Sequence, residues 1–154
     1  GAVGGALALD GIDDFLATDF VLDPSEGPFS VFVWVQGGAP GEVLVSQAGG
    51  ANWLMIDAFA GTLTTELTNG GRIQRPLISE TVIADDSWHR IGFIWDGNWR
   101  SLYVDDALVA TDEQINLAAC AGGLNIGCDK GMALGTFFTG LIDDVRIYNR
   151  VVKP

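Results

Sequence analysis

Residues 137–150 read FFTGLIDDVRIYNR. The apolar side chains of Ile142, Val145 and Ile147 are three and then two positions apart, so a strand with a strict two-residue repeat needs a local irregularity in this segment. The irregularity falls at Asp143 and Asp144. Adjacent carboxylates within a buried strand need hydrogen-bond donors or a cation, because burying an unpaired charge is costly. The segment therefore predicts a buried strand with an irregularity and a compensated acidic pair.

The composition indicates a single all-β domain over residues 1–154. Of these residues 48% are hydrophobic, and the 21 glycines fall mostly between apolar runs, as expected for short strands joined by tight turns. A chain of this length forms one domain with a substantial core. No segment has a sustained helical repeat. Because the chain opens at Gly1 without Met, we expect it to be a module of a larger, exported protein.

The charge balance excludes two classes of partner. The formal net charge is -12 and the isoelectric point is near 4.1, so a nucleic-acid backbone or an anionic membrane surface is repelled. No apolar run approaches the roughly 18 residues that a membrane-spanning helix needs. We expect no nucleic-acid partner and no membrane insertion.

Three segments have distinctive strand patterns. Ala6–Leu9 alternates and meets Asp10-Gly11, which predicts a hairpin with the strand that follows. Phe29–Val35 is apolar on both faces, which is typical of a central strand covered on both sides. Residues 72–83 are interrupted by Pro76 and are therefore expected at a sheet edge.

Phe138–Arg150 resembles the closing strand of the LamG-like jelly-roll family, in the concanavalin A-like lectin/glucanase superfamily. Trp88–Asp105, with its Asp96-Gly97 turn, resembles a second family pattern. The family has a glycine directly after the aspartate that corresponds to Asp105, whereas this chain continues with Asp106-Ala107. Leu124–Gly127 resembles the family's short Ile-Gly strand. The resemblance implies a two-sheet antiparallel β-sandwich of the jelly-roll type, closed by strands from both chain ends.

A structural calcium ion is expected from the resemblance and from local chemistry. Calcium prefers oxygen ligands from carboxylates and from carbonyls of irregular turns. Related members bind calcium through the aspartate corresponding to Asp143, and Asp10 and Asp13 lie in the turn expected beside it. In the alternative interpretation, Asp143 caps a turn or pairs with Arg146 or Arg150.

Catalysis is not supported by the sequence. Catalytic members of the superfamily carry two glutamates and an aspartate in a close Glu-x-Asp-x-x-Glu spacing, which no glutamate of this chain has. The single histidine, His89, is expected to be structural, and no nucleophile elbow is present. The two cysteines, Cys120 and Cys128, are interpreted either as a loop disulfide or as small buried thiols.

Sugar recognition would place an aromatic ring against a pyranose face, with polar side chains beside it. Trp53 and Trp99 have polar neighbours, so the candidate ligand-binding residues are Trp53, Trp99, Asn52 and Arg100. Core packing is the alternative for either tryptophan.

The sequence therefore predicts a non-catalytic carbohydrate-binding module of an extracellular or cell-surface protein, monomeric as an isolated domain, with a glycan or polysaccharide as its partner. The alternative is a protein-interaction or adhesion domain, because one fold serves many functions. Glycoside hydrolase or lyase activity is the third possibility.

Overall fold

The structure, a computed structural model, describes residues 4–154. This part of the chain contains no α-helix; it has one short 3-10 turn, Pro24–Glu26, and twelve strands. The strands are β1 (Leu7–Asp10), β2 (Leu16–Phe20), β3 (Phe29–Gly37), β4 (Val43–Gln47), β5 (Asn52–Ile56), β6 (Thr62–Thr65), β7 (Leu77–Val82), β8 (Trp88–Trp95), β9 (Trp99–Val104), β10 (Ala107–Glu113), β11 (Gly123–Ile126) and β12 (Thr139–Tyr148).

The strands form two six-stranded antiparallel sheets. The first has the order β1-β12-β3-β8-β9-β10 and the second the order β2-β11-β4-β5-β6-β7. The main core lies between them and contains Val31, Val33 and Phe93 from the first sheet and Leu54 and Leu63 from the second. This is the predicted β-sandwich of the concanavalin A-like jelly-roll type.

The first sheet confirms what the closing segment predicts. Strand β12 lies between β1 and the central strand β3, so strands from both ends of the chain pair. Asp143 is opposite Trp34 and Arg146 is opposite Phe32, which leaves one extra residue in β12. Asp144 has φ of 50°, and its backbone N–H donates to Asp143 Oδ1 at 2.8 Å. The irregularity is therefore a β-bulge at the acidic pair.

The predicted N-terminal hairpin is wrong. Strand β1 pairs with β12 and strand β2 pairs with β11, so residues 11–15 cross from one sheet to the other. An alternating strand before Asp-Gly indicates a turn, but it does not specify which sheet the chain enters next. The expected edge position is confirmed, because β7 is the last strand of the second sheet.

In residues 4–154 no helix has the length and apolar character needed to cross a membrane.

The connections β4–β5, β6–β7 and β10–β11 meet at one end of the sandwich, where they surround a pocket.

Candidate binding pocket

Trp53 is part of the core. Its side chain is 0% exposed, and its ring centroid lies 5.1 Å from that of Phe29 on the opposite sheet. The pairing between β4 and β5 gains one residue on β5 between Asn52 and Leu54, and Trp53 is that residue. The bulge turns the indole inward. The prediction that Trp53 stacks against a sugar is therefore not supported, because stacking requires an exposed ring face.

The other predicted ligand-binding residues do not form one site. Trp99 is 46% exposed, but it lies on β9 in the first sheet, whereas Asn52 lies on β5 in the second. Arg100 is 2% exposed. Its guanidinium binds the Asp112 carboxylate at 2.8 and 2.5 Å and donates to the carbonyls of Leu67 and Arg75. Arg100 is thus occupied by internal contacts and joins the β6–β7 connection to the first sheet.

The structure places a pocket of about 530 Å³ at the end of the sandwich. Its walls come from the β4–β5 turn, the β6–β7 and β10–β11 connections, the 3-10 turn and the start of the β11–β12 connection. Polar side chains converge on it without an exposed aromatic ring among them: the lining residues are Pro24, Gln47, Gly49, Gly50, Ala51, Glu66, Leu67, Thr68, Gly70, Gln74, Pro76, Ala118, Ala119, Cys120 and Lys130.

A local cap and two contacts between distant segments shape the pocket wall. Asp23 caps the 3-10 turn through Ser25, and its Oδ1 also accepts a hydrogen bond from Cys120 N at 3.2 Å. These hydrogen bonds lower the pKa of Asp23 below its ordinary value, so the carboxylate is held ionised. A side chain at Gly122 would clash with the Ala48 carbonyl, so glycine permits the β10–β11 connection to close against the β4–β5 turn.

The side-chain amide of Gln47 is buried in the pocket wall, and only one of its two ends is hydrogen-bonded. Gln47 is 1% exposed, and its Nε2 donates to the carbonyls of Leu22, Gly122 and Cys120 at 2.9, 3.0 and 3.3 Å. These three acceptors fix the amide orientation, because a flipped amide would place oxygen against oxygen. Gln47 Oε1 is consequently fixed on the other side, and it is buried without a hydrogen-bond partner. A buried acceptor in a pocket wall indicates a need for a hydrogen-bond donor.

Asn52 organises the acidic side of the pocket. Its Nδ2 donates to Glu66 Oε2 at 3.0 Å and to Asp129 Oδ1 at 2.9 Å, and its Oδ1 accepts from Lys130 N at 3.1 Å. Burial raises the pKa of Asp129, but the hydrogen bonds from Asn52 and from Gly131 N outweigh it, and the net pKa is lowered. Asn52 is thus a positioning residue that holds Glu66 and the Lys130 backbone at the pocket.

The arrangement can bind a polar, uncharged ligand with many hydroxyls. Glu66 and Gln47 offer acceptors, Lys130 offers a cationic donor, and Thr68 and Gln74 offer both functions. Among the lining residues that the structure describes, the only carboxylate is that of Glu66. The neighbouring Asp129 has a lowered pKa, which is opposite to the shift that a general acid of a glycosidase requires.

Sequence reasoning missed Gln47, Glu66 and Lys130 as pocket residues, because it tested the glutamates only for a catalytic spacing, which none of them has. Gln47 directly precedes the Ala48–Gly50 turn, and Glu66 directly follows β6. Polar residues at strand ends beside glycine-rich turns would have been a sequence signal for these pocket residues. The sequence does not specify which turns meet at one end, because this follows from the order of strands in the sheet.

The predicted metal ligands are separated by the fold. Asp10 is opposite Thr139 in the β1–β12 ladder and Leu7 is opposite Ile142, so Asp143 lies four residues beyond Asp10 along the sheet, a distance of about 13 Å. One ion cannot bind both residues, and Asp143 is not supported as a ligand beside Asp10. Asp13 does lie near Asp10, and Asp14 joins them: one oxygen from each of the three exposed carboxylates lies within 4.8 Å of the others.

Both cysteines are free in the structure. Cys128 is buried, and burial with the nearby Asp129 raises the pKa of its thiol to about 11. Cys120 is partly exposed, lines the pocket and donates to the Ala48 carbonyl at 3.4 Å. The loop disulfide, one of the two alternatives from the sequence, is therefore not formed here.

No curated protein sequence matches this chain, whereas many solved structures share its fold. The binding domain of Paraclostridial Mosquitocidal Protein 1 is 13% identical with a TM-score of 0.70, over 97% of this chain and 43% of that one. Domain 4 of AbnA, an extracellular arabinanase from Geobacillus stearothermophilus solved with arabinotriose, is 16% identical with a TM-score of 0.67, over 97% and 73%. Domains LG4-5 of the mouse laminin alpha1 chain are 13% identical with a TM-score of 0.69, over 92% and 40%.

At these identities the likeness establishes the fold alone, and this chain spans less than half of the mosquitocidal and laminin chains. The family assignment rests on a sequence match that covers residues 10–154. The closing strand, the pocket and eleven of the twelve strands lie within these matched residues, and β1 reaches them at Asp10. The chain therefore belongs to the Laminin_G_3 family of the concanavalin A-like lectin/glucanases superfamily.

Proposed function

We propose that this chain is a non-catalytic carbohydrate-binding module of an extracellular or cell-surface protein, and that it binds a glycan in the pocket at the end of the sandwich. The observation that carries the proposal is the buried, unpartnered Gln47 Oε1 in a wall where other polar side chains converge. Sugar hydroxyls supply donors and acceptors in the density that such a wall needs. The arabinotriose complex of the arabinanase domain and a putative carbohydrate-binding protein from Bacteroides ovatus support the choice of ligand by analogy.

In this proposal each polar side chain has a defined part. Gln47 Oε1 accepts from one hydroxyl after a small movement of the wall, and Glu66 accepts from one or two more. Lys130, which is exposed, donates to a ring or hydroxyl oxygen. Asn52 keeps Glu66 in place and does not contact the sugar, because its amide is already bonded on both sides.

The test is a binding screen on a broad array of glycans and polysaccharides, with Glu66→Gln and Lys130→Ala beside the parent protein. Both variants should lose at least about tenfold in affinity for the same glycans, since each removes a charge-assisted hydrogen bond. Glu113→Gln on β10 and Lys153→Ala are the matched controls and should bind as the parent does.

Two outcomes would contradict the proposal. If the folded protein binds no glycan, the protein-interaction or adhesion function takes its place. If Glu66→Gln and Lys130→Ala bind normally while Trp99→Ala does not, the glycan site lies on the first sheet. Turnover of any polysaccharide by the parent protein would revive the third possibility, an enzyme.

We further propose that the turn after β1 binds a structural calcium ion through Asp10, Asp13 and Asp14. Three carboxylates with oxygens this close fit the oxygen donors that calcium prefers. Calcium should raise the melting temperature of the parent protein, and Asp13→Asn should abolish that increase. Asp19→Asn and Asp143→Asn are controls that should keep it. An equal melting temperature in calcium and in chelator would contradict the site.

A further inference from the structure

The edge of the first sheet is only partly covered. Strand β1 pairs with β12 from Thr139 to Ile142, whereas β3 pairs with the other side of β12 as far as Tyr148. Within residues 4–154, no strand therefore lies beside the outer edge of β12 after the bulge. A strand edge with unpaired backbone groups is a template for an added strand.

An apolar cleft lies next to this edge. It has a volume of about 430 Å³ and opens between the two sheets on the side of β1 and β2. Ile142, Leu124 and Ile126 belong to the buried core, whereas Leu7 and Leu16 are 36% and 51% exposed. The other lining residues are Thr18, Asp143, Asp144, Val145 and Ile147. An exposed apolar cleft beside an unpaired strand edge can receive alternate side chains of an extended peptide.

The charges around the cleft specify the peptide further. The segments that form this flank, residues 4–20, β11 and β12, carry six aspartates and a single cationic side chain, Arg146, so their net charge stays negative even with a calcium ion bound to Asp10, Asp13 and Asp14. Arg146 Nε already donates to Asp144 Oδ1 at 2.8 Å. Asp143 and Asp144 lie in the cleft wall itself. A partner with basic side chains is therefore attracted to this flank, and an acidic partner is repelled.

We propose that the outer edge of β12 from Val145 to Tyr148, with its cleft, is a docking site for an extended protein segment that alternates apolar and basic residues. The segment adds as a strand beside β12, places its apolar side chains between Leu7, Leu16 and Ile147, and places its basic side chains near the aspartates. This function is separate from glycan binding, because the cleft shares no lining residue with the pocket at the end of the sandwich.

The probe is a fluorescent, capped heptapeptide of alternating lysine and valine, and its twin has glutamate in place of lysine. Anisotropy titration should detect binding of the lysine peptide, weakening as salt is added, and at least about tenfold weaker binding of the glutamate twin. Hydrogen exchange should slow at alternate backbone amides of residues 145–148 in the complex, because every second N–H of β12 points away from β3 and can bond to an added strand.

Two variants and a matched control test the location. Leu16→Lys removes an apolar wall and adds a like charge, so binding should fall about tenfold or more. Asp144→Asn should weaken binding and flatten its salt dependence, while asparagine still tolerates the left-handed backbone at that position. Leu108→Lys, on the opposite edge strand β10 with a similar 54% exposure, should bind as the parent does.

Equal binding of the two peptides, or equal binding by Leu16→Lys and Leu108→Lys, would overturn the proposal. So would a concentration-dependent dimer that Leu16→Lys abolishes in sedimentation, because a second copy would then be the occupant. Glycan binding by the Leu16→Lys variant is expected to be normal, so failure of this site and failure of the glycan proposal are distinguishable.

Discussion

The two tryptophans next to polar residues have opposite environments. Trp53 fills the core against Phe29, whereas Trp99 is half exposed. Trp53→Ala should lower the free energy of unfolding by about 3–5 kcal/mol, because it removes a large buried ring and leaves a cavity. Trp99→Ala should lower it by about 1 kcal/mol or less. Urea denaturation measures both; similar losses would contradict the assigned environments.

His89 lies between two carboxylates, with Nδ1 2.8 Å from Asp105 Oδ2 and Nε2 2.9 Å from Asp85 Oδ1. Burial disfavours the charged imidazole, but the hydrogen bonds and charges of the two aspartates outweigh it and raise the pKa of His89 above 6.5. This residue links the start of β8 to the turn between β9 and β10, which agrees with the structural role expected from the sequence.

Because the pKa of His89 is higher in the folded protein than in the unfolded chain, protonated His89 stabilises the fold. This stabilisation is complete below the unfolded-state pKa of about 6.5 and is lost as the pH rises through the higher folded-state pKa. The free energy of unfolding should therefore fall as the pH rises from about 6.5 through the higher folded-state pKa of His89. In His89→Gln the decrease should be smaller. Urea denaturation across this pH range provides the measurement, and parallel pH profiles of the two proteins would show that His89 is not responsible.

Asn52 holds the start of the β11–β12 connection in place through hydrogen bonds to Asp129 and Lys130. Asn52→Ala removes the donor to Asp129 and the acceptor of Lys130 N, so it should destabilise the fold by about 1–3 kcal/mol. Exchange of the Lys130 amide should accelerate more than the global change accounts for. Asn116→Ala, at an exposed position of another connection, is the control. Unchanged exchange at Lys130 would mean that Asn52 does not hold this segment.

Strand β12 illustrates what sequence can predict about an element. The spacing of Ile142, Val145 and Ile147 predicts the bulge, because apolar periodicity reports directly on which face each side chain occupies. The bulge in β5 is not visible in the same way, since Trp53 and Met55 fit a normal alternation with Trp53 outside. The apolar pattern also does not predict how far Asp143 lies from Asp10, because this distance depends on the register between two distant strands.

At the scale of the whole molecule, the sandwich and its closure by both chain ends follow from composition, turn spacing and family resemblance. The binding pocket does not, because its residues come from separate connections that meet only after the sheets assemble. Gln47, Glu66 and Lys130 are unremarkable in the sequence. Strand order brings these three residues together, and Gln47 Oε1 becomes buried without a partner only in the assembled fold.

The thiols report on the intact fold. Cys128 is fully buried with a pKa of about 11, whereas Cys120 is partly exposed. At pH 8 N-ethylmaleimide should modify Cys120 in the native protein and Cys128 only after unfolding, because a protonated, inaccessible thiol is unreactive. Peptide mapping by mass spectrometry locates the label. Rapid labelling of Cys128, or no labelling without a reductant, would contradict the free-thiol arrangement.

The most direct test of the proposed function is a titration of the isotope-labelled protein with the tightest-binding glycan, followed by amide chemical shifts in NMR spectra. We expect the shifts to concentrate at Gln47–Ala51, Glu66–Thr68 and Ala118–Cys120, which form the pocket wall. Shifts concentrated around Trp99, or on the flank formed by β1 and β2, would contradict a glycan site at the end of the sandwich.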